Sequence, residues 1–100
     1  MKEITVQELK KLIDSKADFQ LIDVREEHEY DEANINGHLI PLGEILDRAS
    51  EVNKDKQVIV QCRSGKRSAT AIQALETNLG YTNLYNLKGG ILAYIEEIGI

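Results

Sequence analysis

The sequence predicts an α/β fold, a mostly parallel sheet covered by helices on both faces. Three observations predict it. Short apolar runs alternate with helix-patterned segments along the chain. Runs 19–24 and 57–61 are apolar nearly throughout, as strands buried on both faces are. Glycines at positions 80 and 99 close two of the helical segments. With 100 residues, the chain reads as one domain, 1–100, with no repeat, linker or low-complexity stretch.

The elements follow in order. Thr5 and Glu8 form a capping box, and Val6, Leu9, Leu12 and Ile13 keep helical spacing to about Lys16. Residues 19–24 make a buried strand. Residues 26–33 are polar and helix-favouring, a short exposed helix. Residues 34–37 make a turn, and His38, Leu39 and Ile40 a short strand ended by Pro41. Residues 43–52 put Ile45, Leu46, Ala49 and Val52 on one face of a third helix. Residues 57–61 are the most hydrophobic strand and belong at the centre of the sheet. Residues 68–79 make a helix with Ala71, Ile72 and Leu75 inward. Residues 81–87 make a further strand, Lys88, Gly89 and Gly90 a turn, and residues 91–98 the last helix.

Charge narrows the function classes. The formal net charge is -5, which argues against general nucleic-acid binding and against a polybasic membrane contact. One cysteine cannot form an internal disulfide. The N-terminus carries no apolar signal-like segment and no run reaches membrane-spanning length, so the expected compartment is the cytoplasm. Two histidines and one cysteine make a poor zinc set, and neither a metal nor an organic cofactor is expected.

Against this acidic background, residues 58–68 stand out. An apolar strand runs into Cys62, and Arg63, Ser64, Gly65, Lys66, Arg67 and Ser68 follow as a helix begins. The thiolate is the reactive form of cysteine, and cations and helix N-terminal amides favour it. Arg63, Lys66 and Arg67 are three such cations, and Gly65 gives the backbone freedom to curl amides inward as an anion nest. Cys62 is then expected to be largely ionised at physiological pH. Ligands of parallel sheets bind at the carboxyl ends of the strands, where Cys62 stands. The alternative is a small buried hydrophobe closing a core strand. For the three cations the alternative is a solvated basic patch.

Further along, the order Leu21-Ile22-Asp23-Val24-Arg25-Glu26, Gly37-His38, Cys62 to Ser68, and Leu87-Lys88-Gly89-Gly90 resembles the single-domain rhodanese sulfurtransferases. The resemblance implies a rhodanese-like fold, a central parallel sheet of about five strands with helices on both sides. It implies that Cys62 takes a sulfane sulfur from a small anionic donor such as thiosulfate, as a persulfide. The sulfur then passes to cyanide, a thiol or a protein acceptor. It implies a six-residue active-site loop, Cys62 through Arg67, whose backbone N–H groups cradle the outer sulfur. Asp23 and Arg25 match a segment near the site and are expected to be supporting residues, as is Ser68. Two departures from the family pattern occur. The stretch after His38 reads Leu39-Ile40-Pro41-Leu42 where Ile-Pro-Gly-Ala is common, and Tyr94 stands where tryptophan is frequent.

Other readings compete. Cysteine phosphatases and arsenate reductases use Cys-x5-Arg, with the arginine gripping an oxyanion. Here Arg67 gives Cys-x4-Arg, a ring one residue shorter, and no second cysteine exists. A persulfide carrier or regulatory module docking on a partner would also keep Cys62. His38 reads as a turn or strand-edge residue or as a catalytic base. His28, among Glu26, Glu27 and Glu29, reads as solvated. Asp23 reads as a turn cap or cation partner, Arg25 as an ion-pair partner, and Gly89 and Gly90 as serving the turn itself.

Overall fold

The computed structural model describes residues 1–100. The capping box forms: Thr5 Oγ1 accepts from the Glu8 amide at 3.1 Å, and Glu8 Oε1 accepts from the Thr5 amide at 3.0 Å. It starts helix α1, Val6–Asp14, whose Val6 and Leu9 are buried. Strand β2 is Phe19–Asp23, helix α2 Glu27–Glu32 and strand β3 His38–Leu39. Strand β4, Gln57–Gln61, leads to helix α3, Lys66–Leu79. Strand β5, Leu84–Leu87, leads to helix α4, Gly90–Glu97.

An additional strand, β1, covers Glu3–Ile4 and pairs with β5. The sequence gives it no periodicity because it has two residues. The five strands are parallel in the order β1-β5-β4-β2-β3, with β4 central as expected. Side chains alternate across β4. Val58, Val60 and Cys62 face a core with Ala71, Ile72 and Leu75 of α3, while Ile59 joins Val6, Leu9, Ile91 and Tyr94 of α1 and α4. Helices therefore cover both faces. No helix is long and apolar enough to cross a membrane.

The expected helix over 43–52 is instead two 3-10 turns, Leu42–Glu44 and Ala49–Glu51. Ile45, Ala49 and Val52 are buried as expected, but Leu46 is 44% exposed. Leu46 belongs to neither 3-10 turn but to the segment between them, so the four positions do not share one helical face. Gly43 weakens an α-helix here. Tyr81 holds the segment instead. It lies before β5 rather than in it, and its hydroxyl donates to the carbonyls of Ala49 at 2.8 Å and Val52 at 2.9 Å. Helix α3 starts two residues earlier than the sequence pattern suggests, with Gly65 as its N-cap.

Candidate active site

Cys62 is the residue after β4, at the carboxyl edge of the sheet. Residues 63–65 turn the chain, and α3 begins at Lys66. Gly65 makes the turn with φ of +102°, a conformation that strains residues bearing a Cβ. This turn aims the Gly65 N–H at Cys62 Sγ, 3.1 Å away. Ser68, in the first turn of α3, places its Oγ 3.4 Å from the same sulfur.

The outward side of the loop is fixed by α4. The Ile91 amide donates to the Cys62 carbonyl at 2.9 Å and the Leu92 amide to the Arg63 carbonyl at 3.1 Å. Loop carbonyls thus face the N-terminus of α4, whose amides have no intrahelical partner. Gly90 does more than form its turn. Its φ is +59°, and a Cβ there would stand 2.4 Å from the Cys62 carbonyl oxygen. Only a glycine allows α4 to approach this closely.

Cys62 is only 1% exposed and belongs to the core on the α3 side of the sheet. The burial that the sequence offered as an alternative is real, yet the sulfur has polar neighbours. Burial pushes the Cys62 thiol up. The Ser68 hydroxyl and the backbone N–H groups of Ser68, Gly65 and Ser64 outweigh that effect and hold it below its ordinary value.

The cations play a smaller part than the sequence suggests. Arg67 is engaged by Glu29 of α2 through two hydrogen bonds, 2.7 and 2.9 Å. The Arg67 guanidinium holds the Glu29 carboxyl down at about 2. Arg67 is thus committed to a carboxylate 38 residues away. Arg63 and Lys66 are exposed and take part in no ion pair. Of the amides and cations expected to lower the Cys62 pKa together, the amides and the Ser68 hydroxyl carry the larger share.

Asp23 and Arg25 form a buried pair at the end of β2, with Arg25 Nη2 2.9 Å from Asp23 Oδ2. Asp23 Oδ1 also accepts from the Arg25 amide at 3.0 Å, so the carboxylate caps the turn as well. Arg25 then donates to the carbonyls of Ala33 at 2.8 Å and Glu29 at 3.3 Å. The pair ties α2 to the sheet, and α2 carries the carboxylate that holds Arg67.

Asn86 is the residue the sequence reading missed. It is 5% exposed on β5, its Oδ1 accepts from Ser68 Oγ, and its Nδ2 donates to the Gly65 carbonyl at 3.0 Å. The available signal was one amide within the otherwise apolar stretch Leu84–Leu87. His38 joins none of these contacts. Its Nε2 lies 2.7 Å from Glu51 Oε1.

One hollow borders the loop and a larger one does not. One of about 250 Å³ lies beside the loop, lined by Arg25, Glu29, Arg63, Leu92 and Ile95 among others. The largest, about 540 Å³, is lined by residues such as Phe19, Ile35, His38 and Tyr94 and includes no loop residue. The Cys62 loop does not line the largest hollow.

A family model for the rhodanese-like domain matches residues 5–97. Among curated proteins, the chain is 36% identical over 98 residues to a sulfurtransferase of Allochromatium vinosum, covering 92% of this chain and 86% of that one. It is 36% identical over 90 residues to the "Putative sulfur carrier protein YrkF" of Bacillus subtilis, covering 89% of this chain. The chain spans 48% of YrkF and 56% of a second Bacillus subtilis relative, YqhL, about half the length of each. Among solved structures, a rhodanese-like domain protein of Staphylococcus aureus superposes with a TM-score of 0.85 at 36% identity, over 94% of this chain and 91% of that one. The fold, the Cys62 loop and these relatives agree, and the chain belongs to the rhodanese-like domain family.

Proposed function

We propose that this domain moves a sulfane sulfur from a donor such as thiosulfate to a nucleophilic acceptor through a persulfide on Cys62. The observation that carries the reading is the Gly65 N–H directed at Cys62 Sγ at 3.1 Å, within a loop whose carbonyls are held by α4. In the first step the Cys62 thiolate attacks the outer sulfur of thiosulfate. A Cys62 S–S bond forms, the donor S–S bond breaks, and sulfite leaves with the electron pair. In the second step cyanide or a thiolate attacks the outer persulfide sulfur, and Cys62 leaves as a thiolate. Electrons balance within the two displacements, and no cofactor enters either step. Covalent transfer of this kind gives ping-pong kinetics.

Inward amides supply donors where negative charge develops, the logic of an oxyanion hole. Arg63 and Lys66 are the unpaired loop cations that draw in an anionic donor. The sulfur of Cys62 is nearly inaccessible, but a persulfide carries its outer sulfur about 2 Å farther out. A bulky protein thiol can then be served where Cys62 itself cannot reach.

The phosphatase reading loses support on geometry. The arginine that would grip an oxyanion, Arg67, already spends its fork on Glu29. The carrier reading is supported by the name of YrkF and overlaps with the main one. It differs in expecting slow thiosulfate turnover and rapid transfer to one protein partner.

The test is intact mass. Exposure to thiosulfate adds one sulfur atom, and cyanide removes it. Cys62→Ser gains nothing while keeping its fold. A Cys62→Ser protein that still transfers sulfur at the wild-type rate overturns the reading.

A further inference from the structure

Four residues close a ring around the reactive sulfur. The Gly65 N–H donates to Cys62 Sγ, and the Gly65 carbonyl accepts from Asn86 Nδ2. Asn86 Oδ1 accepts from Ser68 Oγ, which lies 3.4 Å from Cys62 Sγ. One acceptor fixes the positions of the protons. A carbonyl oxygen only accepts, so the amide nitrogen of Asn86 must face Gly65. Its oxygen then faces Ser68, and the Ser68 hydroxyl must donate to it. A serine hydroxyl has a single hydrogen. While that hydrogen points at Asn86, the Cys62 thiol is the donor in the Cys62–Ser68 contact. With Cys62 protonated, every group in the ring is satisfied.

Ionisation breaks this arrangement. Once Cys62 gives its proton to solvent, the thiolate and Asn86 Oδ1 compete for one hydroxyl hydrogen. Cys62, Ser68 and Asn86 are all buried, with exposures of 1%, 0% and 5%. A buried acceptor left without a donor is costly.

We propose that Asn86 is a positioning residue for Cys62: it holds the Ser68 hydroxyl in the thiol form, and that hydroxyl turns to the sulfur only when Cys62 is ionised. This rests on Cys62 being the sulfur-carrying nucleophile. Asn86 thereby raises the free energy of the bare thiolate. In the persulfide the charge moves to the outer sulfur, and the hydroxyl returns to Asn86. The amide thus favours the loaded domain over the unloaded thiolate.

The charged groups around Cys62 are Arg67 on α3, held by Glu29 of α2, the Asp23–Arg25 pair at the end of β2, and Arg63 and Lys66 on the loop. Strand β5 and the first turn of α4 contribute none. None of these groups hydrogen-bonds to Ser68 or Asn86, so substitutions at those two positions leave the surrounding charges in place.

The experiment follows the pH dependence of iodoacetamide alkylation of the sole cysteine in wild type, Asn86→Leu, Ser68→Ala and the double variant. Asn86→Leu removes the competing acceptor and lowers the apparent Cys62 pKa by about one unit, a tenfold rise in the thiolate-to-thiol ratio. Ser68→Ala raises it. With Ser68 absent, Asn86→Leu brings no decrease. An unchanged or raised pKa in Asn86→Leu overturns the proposal, as does a decrease that persists without Ser68. The infrared S–H stretch provides a second measurement should Asn86→Leu fail to fold. A donating thiol absorbs at lower frequency in wild type than in Ser68→Ala, and identical bands overturn the proposal. Intact mass after thiosulfate separates the two claims. Shifts without sulfur loading keep the ring and sink the functional reading, and loading without shifts does the reverse.

Discussion

Glu29 grips Arg67 through both ends of its carboxylate, at 2.7 and 2.9 Å, and so neutralises one cation of the Cys62 loop. The link joins α2 to the first turn of α3. It ties the loop to a residue outside it and reduces the loop's net positive charge.

Replacing Glu29 frees that charge. Glu29→Gln is expected to lower KM for thiosulfate a few-fold, because a released guanidinium attracts a dianion and can fork onto it. The pair is partly exposed, with side-chain exposures of 34% and 21%, so its loss costs only about 1 kcal/mol. Steady-state kinetics and urea unfolding measure the two effects. A raised KM would place Arg67 in a structural role only.

The same pair predicts an acid transition. Arg67 depresses the folded-state pKa of Glu29 from 4.5 to about 2. A depressed carboxylate contributes stability that is present above the unfolded value and lost as pH falls through the folded one. The stability difference between wild type and Glu29→Gln should therefore be constant above about pH 5 and shrink between pH 4.5 and about 2. Thermal unfolding across that window checks the sign. A difference that grows as the pH is lowered contradicts it.

Gly90→Ala should disrupt the site from behind. An added methyl group meets the Cys62 and Arg63 carbonyl oxygens at 2.4 and 2.5 Å, and φ is already +59°. The expected cost is about 3 kcal/mol or more, with loss of sulfur transfer. Gly99→Ala is the control, since φ is +90° but nothing lies within 4 Å, and about 1 kcal/mol is expected. Equal losses in the two variants would show that backbone strain alone, not the packing of α4 on the loop, sets the requirement.

Gln61 offers a gain. Its side chain is fully buried, and neither Nε2 nor Oε1 has a hydrogen-bond partner. It precedes Cys62 but points to the opposite face of the sheet. Gln61→Leu removes an unsatisfied amide at similar volume, so stability should rise by about 1 kcal/mol. Denaturant titration decides, and a loss of stability would mean the amide is satisfied in solution.

Much of the architecture could be read from local signals. The Thr5–Glu8 box, the apolar run of β4 and the glycine closing α3 each act within a few residues, which is the range at which periodicity and capping operate. The six loop residues were likewise contiguous. What escaped depends on separation along the chain or on very short elements. Glu29 and Arg67 are 38 residues apart, and nothing in either neighbourhood announces the other. Asn86 meets Ser68 only because β5 lies beside β4 in the sheet. Gly90 looked like a turn residue because its close approach to Cys62 is tertiary. Residues 43–52 misled because buried side chains at spacings of four and three fit an α-helix as well as a pair of 3-10 turns.

The borders of the sheet have their own consequence. Strands β1 and β3 are two residues each and occupy its two rims. The unpaired ladder at the rims comes in short stretches, such as the outer side of residues 19–21 of β2, so an added strand finds few backbone partners.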